Sequence, residues 1–124
     1  MIFKIIKVEN GSKPNEEVVW LQASEEFNTK GFAVVDRTFD SNGKVSNEFR
    51  HIYVFPEIKL KKDQKVLLHS GTGTNTIKTF SNTGKEYHQL FWGADSCIWN
   101  DNGGDTATLI SFIVVNSVEV PKLN

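Results

Sequence analysis

Along the chain, apolar residues recur at every second position in short runs, and no stretch of helical length spaces them three and four apart. Side chains that alternate between two faces are the signature of a strand, so these runs predict strands. They fall at Ile2–Val8, Glu17–Ser24, Phe32–Phe39, Phe49–Phe55, Lys65–Ser70, Gln89–Gly93, Thr106–Ile110 and Ile113–Val118. Between them, Asn10-Gly11, Asn42-Gly43 and Asn102-Gly103 suit turn positions that need positive φ, while Pro14 and Pro121 fix φ and end strands. About eight short strands at this spacing predict an all-β sandwich or barrel.

The alternation also assigns faces. Val19, Leu21 and Ala23 share one side of their run and are predicted to face the core, which leaves Val18, Trp20 and Gln22 on the other. Val66 and Leu68 point inward by the same rule, and Leu67 outward. In the third run the apolar face of Phe32 and Val34 continues into Asp36, so its alternation is imperfect. Trp20 points out of the sheet, where either a strand or loop covers it or it is free as an interface anchor. One connection, Gly71 to about His88, is rich in Gly, Thr, Asn and Ser and exceeds the ~12–15 residues of ordinary loops, which marks it as functional or disordered.

Composition narrows the partners. A length of 124 residues suits one domain, 1–124, with a core of its own, and 39% hydrophobic with 23% charged residues is ordinary for a folded chain. The 14 basic and 15 acidic side chains leave a net charge of -1, so no strong field draws the protein to phosphate backbones or anionic lipid. Cys97 is the only cysteine, which excludes an internal disulfide and a multi-cysteine metal site. The opening residues lack the apolar stretch of a secretory signal, and no segment approaches the ~18 apolar residues of a membrane span. With Met1 as the natural start the protein is expected in the cytoplasm; cut from a longer precursor, it would be extracellular or in the envelope.

Tyr53 to Leu68 holds a strand ended by Phe55-Pro56, an apolar Leu60 four residues after the proline, and a turn at Lys62–Gln64 leading to the next strand, and so resembles part of a lamin-tail domain. His69-Ser70-Gly71-Thr72-Gly73 is similar to the glycine-rich end of that strand in the family. Leu90-Phe91-Trp92-Gly93 resembles its aromatic strand, and Ile98-Trp99-Asn100 with Gly104 to Leu109 its tryptophan turn and closing strand. Upstream, Glu17 to Leu21 and Gly31-Phe32 stand where the family carries a Glu-Trp-Val-Glu-Leu strand and a Gly-Trp pair. Trp20 replaces an acidic residue, Phe32 a tryptophan, the hairpin at Ser111–Val118 lacks the Asp-Gly turn, and the insertion near Thr76–Tyr87 is long. The resemblance implies an immunoglobulin-like sandwich used for attachment or scaffolding.

The chemistry sought elsewhere has plainer readings. Asn100 to Asp105 offers oxygen ligands around glycines, as calcium requires, but Gly104 and Asp105 break the EF-hand order and no bidentate Glu follows; a tight turn accounts for it. Ser70 to Asn75 lacks the Lys-Ser/Thr end and the helix of a phosphate loop. Cys97 and His88 form no recognisable nucleophile pair, and no Gly-x-Ser-x-Gly elbow exists. His51, His69 and His88 lie on different predicted strands without zinc spacing. Lys59, Lys61, Lys62 and Lys65, near Arg50 and Tyr53, form the one basic cluster, read as a solvated turn that guards an edge rather than a nucleic-acid site.

The expectation is therefore a non-catalytic module, without cofactor or metal, that mediates protein–protein or cell-envelope attachment. Its own copies are among the partners compatible with the sequence. The candidate contact residues are Trp20, Phe80, Tyr87 and Trp92. The rival reading is a carbohydrate- or ligand-binding module that uses the loop aromatics Phe80, Tyr87 and Trp92.

Overall fold

Seven of the eight alternating runs form strands. The computed structural model describes residues 1–39, 45–99 and 105–123, with residues 37–39 and 45–50 as backbone alone. Ten strands follow one another: β1 (Phe3–Glu9), β2 (Val18–Ala23), β3 (Phe27–Asn28), β4 (Phe32–Phe39), β5 (Val45–Val54), β6 (Lys59–Leu60), β7 (Lys65–His69), β8 (Thr76–Thr79), β9 (Glu86–Phe91) and β10 (Thr106–Ser111). A single 3-10 turn at Pro14–Glu16 is the one helical element among the described residues.

Five strands form one sheet in the order β1-β2-β7-β9-β8, three form a second in the order β10-β4-β5, and β3 pairs with β6. All pairings are antiparallel except β7 with β9, which run parallel from Lys65↔Tyr87 to His69↔Phe91. The protein is an all-β sandwich. From the larger sheet Phe3, Val19, Leu21, Val66, Leu68 and Leu90 turn inward onto Val34 of the smaller one, and Phe55, Leu60, Ile98 and Trp99 join them. Each such side chain stabilises the fold by roughly 1.5–3 kcal/mol when fully buried. The aromatic part of this core centres on Phe3, which stacks on Phe27 at 4.9 Å and meets Phe55 edge-on at 5.7 Å.

The predicted faces of β2 and β7 hold: Val19, Leu21, Ala23, Val66 and Leu68 are buried in the core. Leu67, on the opposite face, is also buried, flanked in register by Trp20 and Gln89. Asp36, the polar break in β4, is buried too, and its carboxylate accepts the His51 backbone N–H at 2.7 Å and faces the His51 ring at 3.0 Å.

Two expectations change. The segment Ile113–Val118 forms no strand and stands exposed, with Ile113 and Val115 at 88% and 93%. A strand needs a neighbour for its backbone groups, and none lies along this one among the described residues. The long connection from Gly71, in contrast, is built: β8 pairs with β9, and the Phe80–Lys85 tip closes a hairpin through Phe80 N–H to Lys85 O (2.9 Å) and Gly84 N–H to Phe80 O (2.8 Å). Gly84 has φ +72°, a conformation that costs a residue with a Cβ. The turns at Asn42-Gly43 and Asn102-Gly103, and Asn100–Gly104 of the calcium candidate, lie outside the described residues.

Candidate functional site

The long hairpin positions the site. Because β8 is the outermost strand of the five-stranded sheet, the tip that follows it can fold back over the sheet's outer face. There Phe80 stacks against Tyr87 of β9 at 4.2 Å between ring centroids and runs nearly parallel to Trp20 of β2 at 6.1 Å. Trp20 and Tyr87 reach this face because the same period-two rule that buries Leu21 and Leu90 turns them the other way. Offset stacks of this kind contribute about 0.5–1.5 kcal/mol per pair beyond burial.

Charged side chains frame the rings. The Trp20 indole N–H donates to Glu9 Oε1 (2.5 Å), Lys7 Nζ lies 5.4 Å from the Trp20 ring centre, and Lys7 and Glu9 pair at 3.9 Å. Lys65 Nζ sits 5.7 Å from the Phe80 ring centre. All three aromatic residues are half-buried, so each keeps part of its surface toward solvent. Beside the stack opens a cleft of about 450 Å³, walled by Trp20 and Phe80 and rimmed by Gln22, Asp63, Lys65, Asn82, Thr83, Lys85 and Glu86. Gln22 is fixed by a 3.0 Å bond from its side-chain amide to Asp63 O. Such a surface can hold a flat apolar group against the rings while the rim offers donors, acceptors and both charges.

Three of the four candidate residues thus come together. Trp92 does not join them: it follows β9 on the core side, where it packs on Tyr53 at 5.7 Å and edge-on to Trp99 at 6.0 Å. Gln22, Asn82, Thr83 and Lys85 were not singled out from sequence. Their only signal was position, on the Trp20 face of β2 and in the long connection.

The remaining candidates have structural employment. His69 Nδ1 donates to Asn15 O (3.0 Å), Gln89 approaches its Nε2 at 3.1 Å, and its ring stacks on Phe91, so it ties the Pro14–Glu16 turn to the sheet. The glycine-rich segment is held from both sides, since the Asn15 amide donates to Thr72 O and Asn75 accepts from the Phe91 N–H. Burial holds His88 below the usual imidazole range, with Glu86 pulling the other way. Cys97 Sγ lies 3.8 Å from Gly11 O. No group of three His, Cys, Asp or Glu side chains is arranged to hold a metal among the described residues. Lys59, Lys61 and Lys62 are exposed, as expected of a solvated turn. No helix among the described residues is long and apolar enough to cross a membrane.

A buried carboxylate, passed over as chemistry in the sequence, organises the end of the sandwich. Glu17 is fully buried, and its two oxygens accept the backbone N–H groups of Ile98 (2.8 Å) and Trp99 (3.2 Å). With both oxygens engaged by backbone, Glu17 clamps the Ile98–Trp99 segment to the start of β2. Compared with models of known protein families and with curated proteins, the chain matches none.

Proposed function

We propose that this domain is a non-catalytic attachment module, an immunoglobulin-like sandwich of lamin-tail type, that binds another protein through the outer face of its five-stranded sheet. The observation that carries the reading is the Trp20–Phe80–Tyr87 stack, three half-exposed rings drawn from β2, the hairpin tip and β9 onto one surface. Aromatic anchors ringed by polar side chains are the anatomy of protein interfaces, and a few such residues supply most of the binding energy. The rim carries Lys65 and Lys85 beside Asp63 and Glu86, which suits a partner surface of mixed charge.

The test starts from affinity capture with the domain as bait, followed by calorimetry with the purified captured protein. Trp20→Ala is expected to weaken binding roughly 30-fold, the effect of losing an anchor of about 2 kcal/mol. An unchanged affinity in both Trp20→Ala and Phe80→Ala sinks the proposal.

A carbohydrate ligand is the second reading, favoured by one feature: the cleft sets aromatic walls against the amide and hydroxyl side chains of Gln22, Asn82 and Thr83. Titration with soluble oligosaccharides would then change Trp20 fluorescence in the wild type and not in Phe80→Ala. A flat response across neutral and charged sugars removes this reading.

A further inference from the structure

The segment after β10 is the least reconciled part of the molecule. Ile113, Val114, Val115, Val118, Val120 and Leu123 are each 70–99% exposed. β-branched residues at this density belong in a sheet, and an exposed apolar surface of this extent marks a contact site. The chain cannot turn back onto its own β10, because Ser111 to Val115 contains no Gly, Pro, Asn or Asp with which to reverse direction. Phe112 N–H instead donates to Gly31 O at 2.8 Å, which carries the chain straight past the start of β4.

A matching slot exists on the same molecule. β1 and β10 are the outermost strands of their sheets on the side where the two sheets approach. Between them runs a groove of about 290 Å³ lined by Phe3, Ile5, Phe32, Ala107 and Leu109. Antiparallel pairing alternates which residues bond across, and Ser24 N–H to Ile2 O (2.8 Å) sets that phase for β1. The backbone groups of Phe3 and Ile5 therefore face away from β2, toward the groove. The Phe112 bond to Gly31 likewise leaves those of Ala107 and Leu109 facing away from β4. The groove combines an apolar floor with two rows of backbone donors and acceptors, the recognition mode of strand addition.

We propose that residues 113–120 of one molecule, the run that ends before Pro121, add as a strand to the β1 edge of a second copy, over this groove, and that the exchange is reciprocal. Eight residues extend about 26 Å, enough to follow the whole of β1. Because the segment leaves from β10, a wall of the groove, one two-fold operation places each segment in the other's slot, the closed geometry of a swapped dimer.

Light scattering from micromolar to millimolar concentration, with amide exchange on the same samples, tests this on the full chain. The mass is expected to rise from the 14.0 kDa of the single chain to twice that value. The Phe3 and Ile5 amides should become protected as it does. The double variant Val115→Pro, Val118→Pro removes two ladder donors from a segment that lies outside the core, so it should keep the wild-type circular dichroism. It is expected to stay monomeric, with Phe3 and Ile5 exchanging at least tenfold faster. A monomer at every concentration overturns the proposal, as does a dimer indifferent to the prolines. Protection at Ile52 and Val54, the exposed residues of the β5 edge, in place of Phe3 and Ile5 overturns it equally.

Discussion

Removing the Glu17 carboxylate tests the account of how the sandwich is closed. The side chain is wholly buried just before β2, and its two oxygens accept backbone N–H groups 81 and 82 residues away, at Ile98 and Trp99. Hydrogen bonds to a charged acceptor contribute about 1.5–3 kcal/mol each, so Glu17→Ala should cost about 3–6 kcal/mol and leave two buried donors without a partner. Against a total of about 5–15 kcal/mol, that is a large share of the stability. Glu17→Gln keeps the shape and one acceptor oxygen but presents an amide NH₂ to the second donor, and about half the loss is expected. Urea unfolding at neutral pH, followed by circular dichroism, should show midpoints lowered by about 1–3 M for alanine, with unchanged slope. Amide exchange should quicken at Ile98 and Trp99 in both variants. A loss under about 1 kcal/mol for alanine, or equal losses for alanine and glutamine, would refute the clamp.

The same geometry fixes three further outcomes. Phe80→Ala should lower stability by about 1 kcal/mol, the value of its stacking, and red-shift and expose Trp20 to iodide quenching; an unchanged emission spectrum would mean the hairpin tip does not cover that ring. Burial depresses the His88 pKa, so the unfolded chain takes up the proton first. Stability is then full above pH 6.5 and falls as pH drops through the lowered folded value, and thermal melts of wild type and His88→Gln should diverge only on that acid side. Burial pushes the Tyr53 phenol up to about 12, with an Asn75 hydrogen bond acting the other way. Its contribution is full below pH 10 and is lost as pH rises through about 12, so ultraviolet titration should show one tyrosine ionising with alkaline unfolding, and Tyr53→Phe should move that unfolding to higher pH.

Much of the fold was legible because burial imposes a period of two. Val19, Leu21, Val66 and Leu68 could be placed from the sequence alone, and with them the outward direction of Trp20. The site was legible in part. Trp20, Phe80 and Tyr87 could be named, but not their convergence, since that depends on the tip after β8 folding over β2 and β9. Trp92 was grouped with them because it is aromatic and close in sequence to Tyr87, whereas its face is set by where β9 ends at Phe91. The Glu17 clamp had half a signal: period two puts Glu17 on the core face with Val19, Leu21 and Ala23, but the N–H groups it meets lie more than 80 residues away and leave no local mark.

The two segments that departed from expectation show what pattern leaves undecided. Thr76–Thr79 has one aliphatic residue and all four positions exposed, so it shows no apolar face to read, yet it forms β8 because the tip at Phe80–Lys85 delivers it beside β9. Ile113–Val118 is the better strand by composition and forms none, because no turn brings it back to an edge of its own molecule. Propensity prepares a backbone for a sheet, and a neighbour with unmet N–H and C=O groups decides whether one forms. By that rule a strong strand former without a neighbour is an incomplete element, and β1, with the Phe3 and Ile5 backbone groups turned toward an apolar groove, is the edge whose incompleteness matches it.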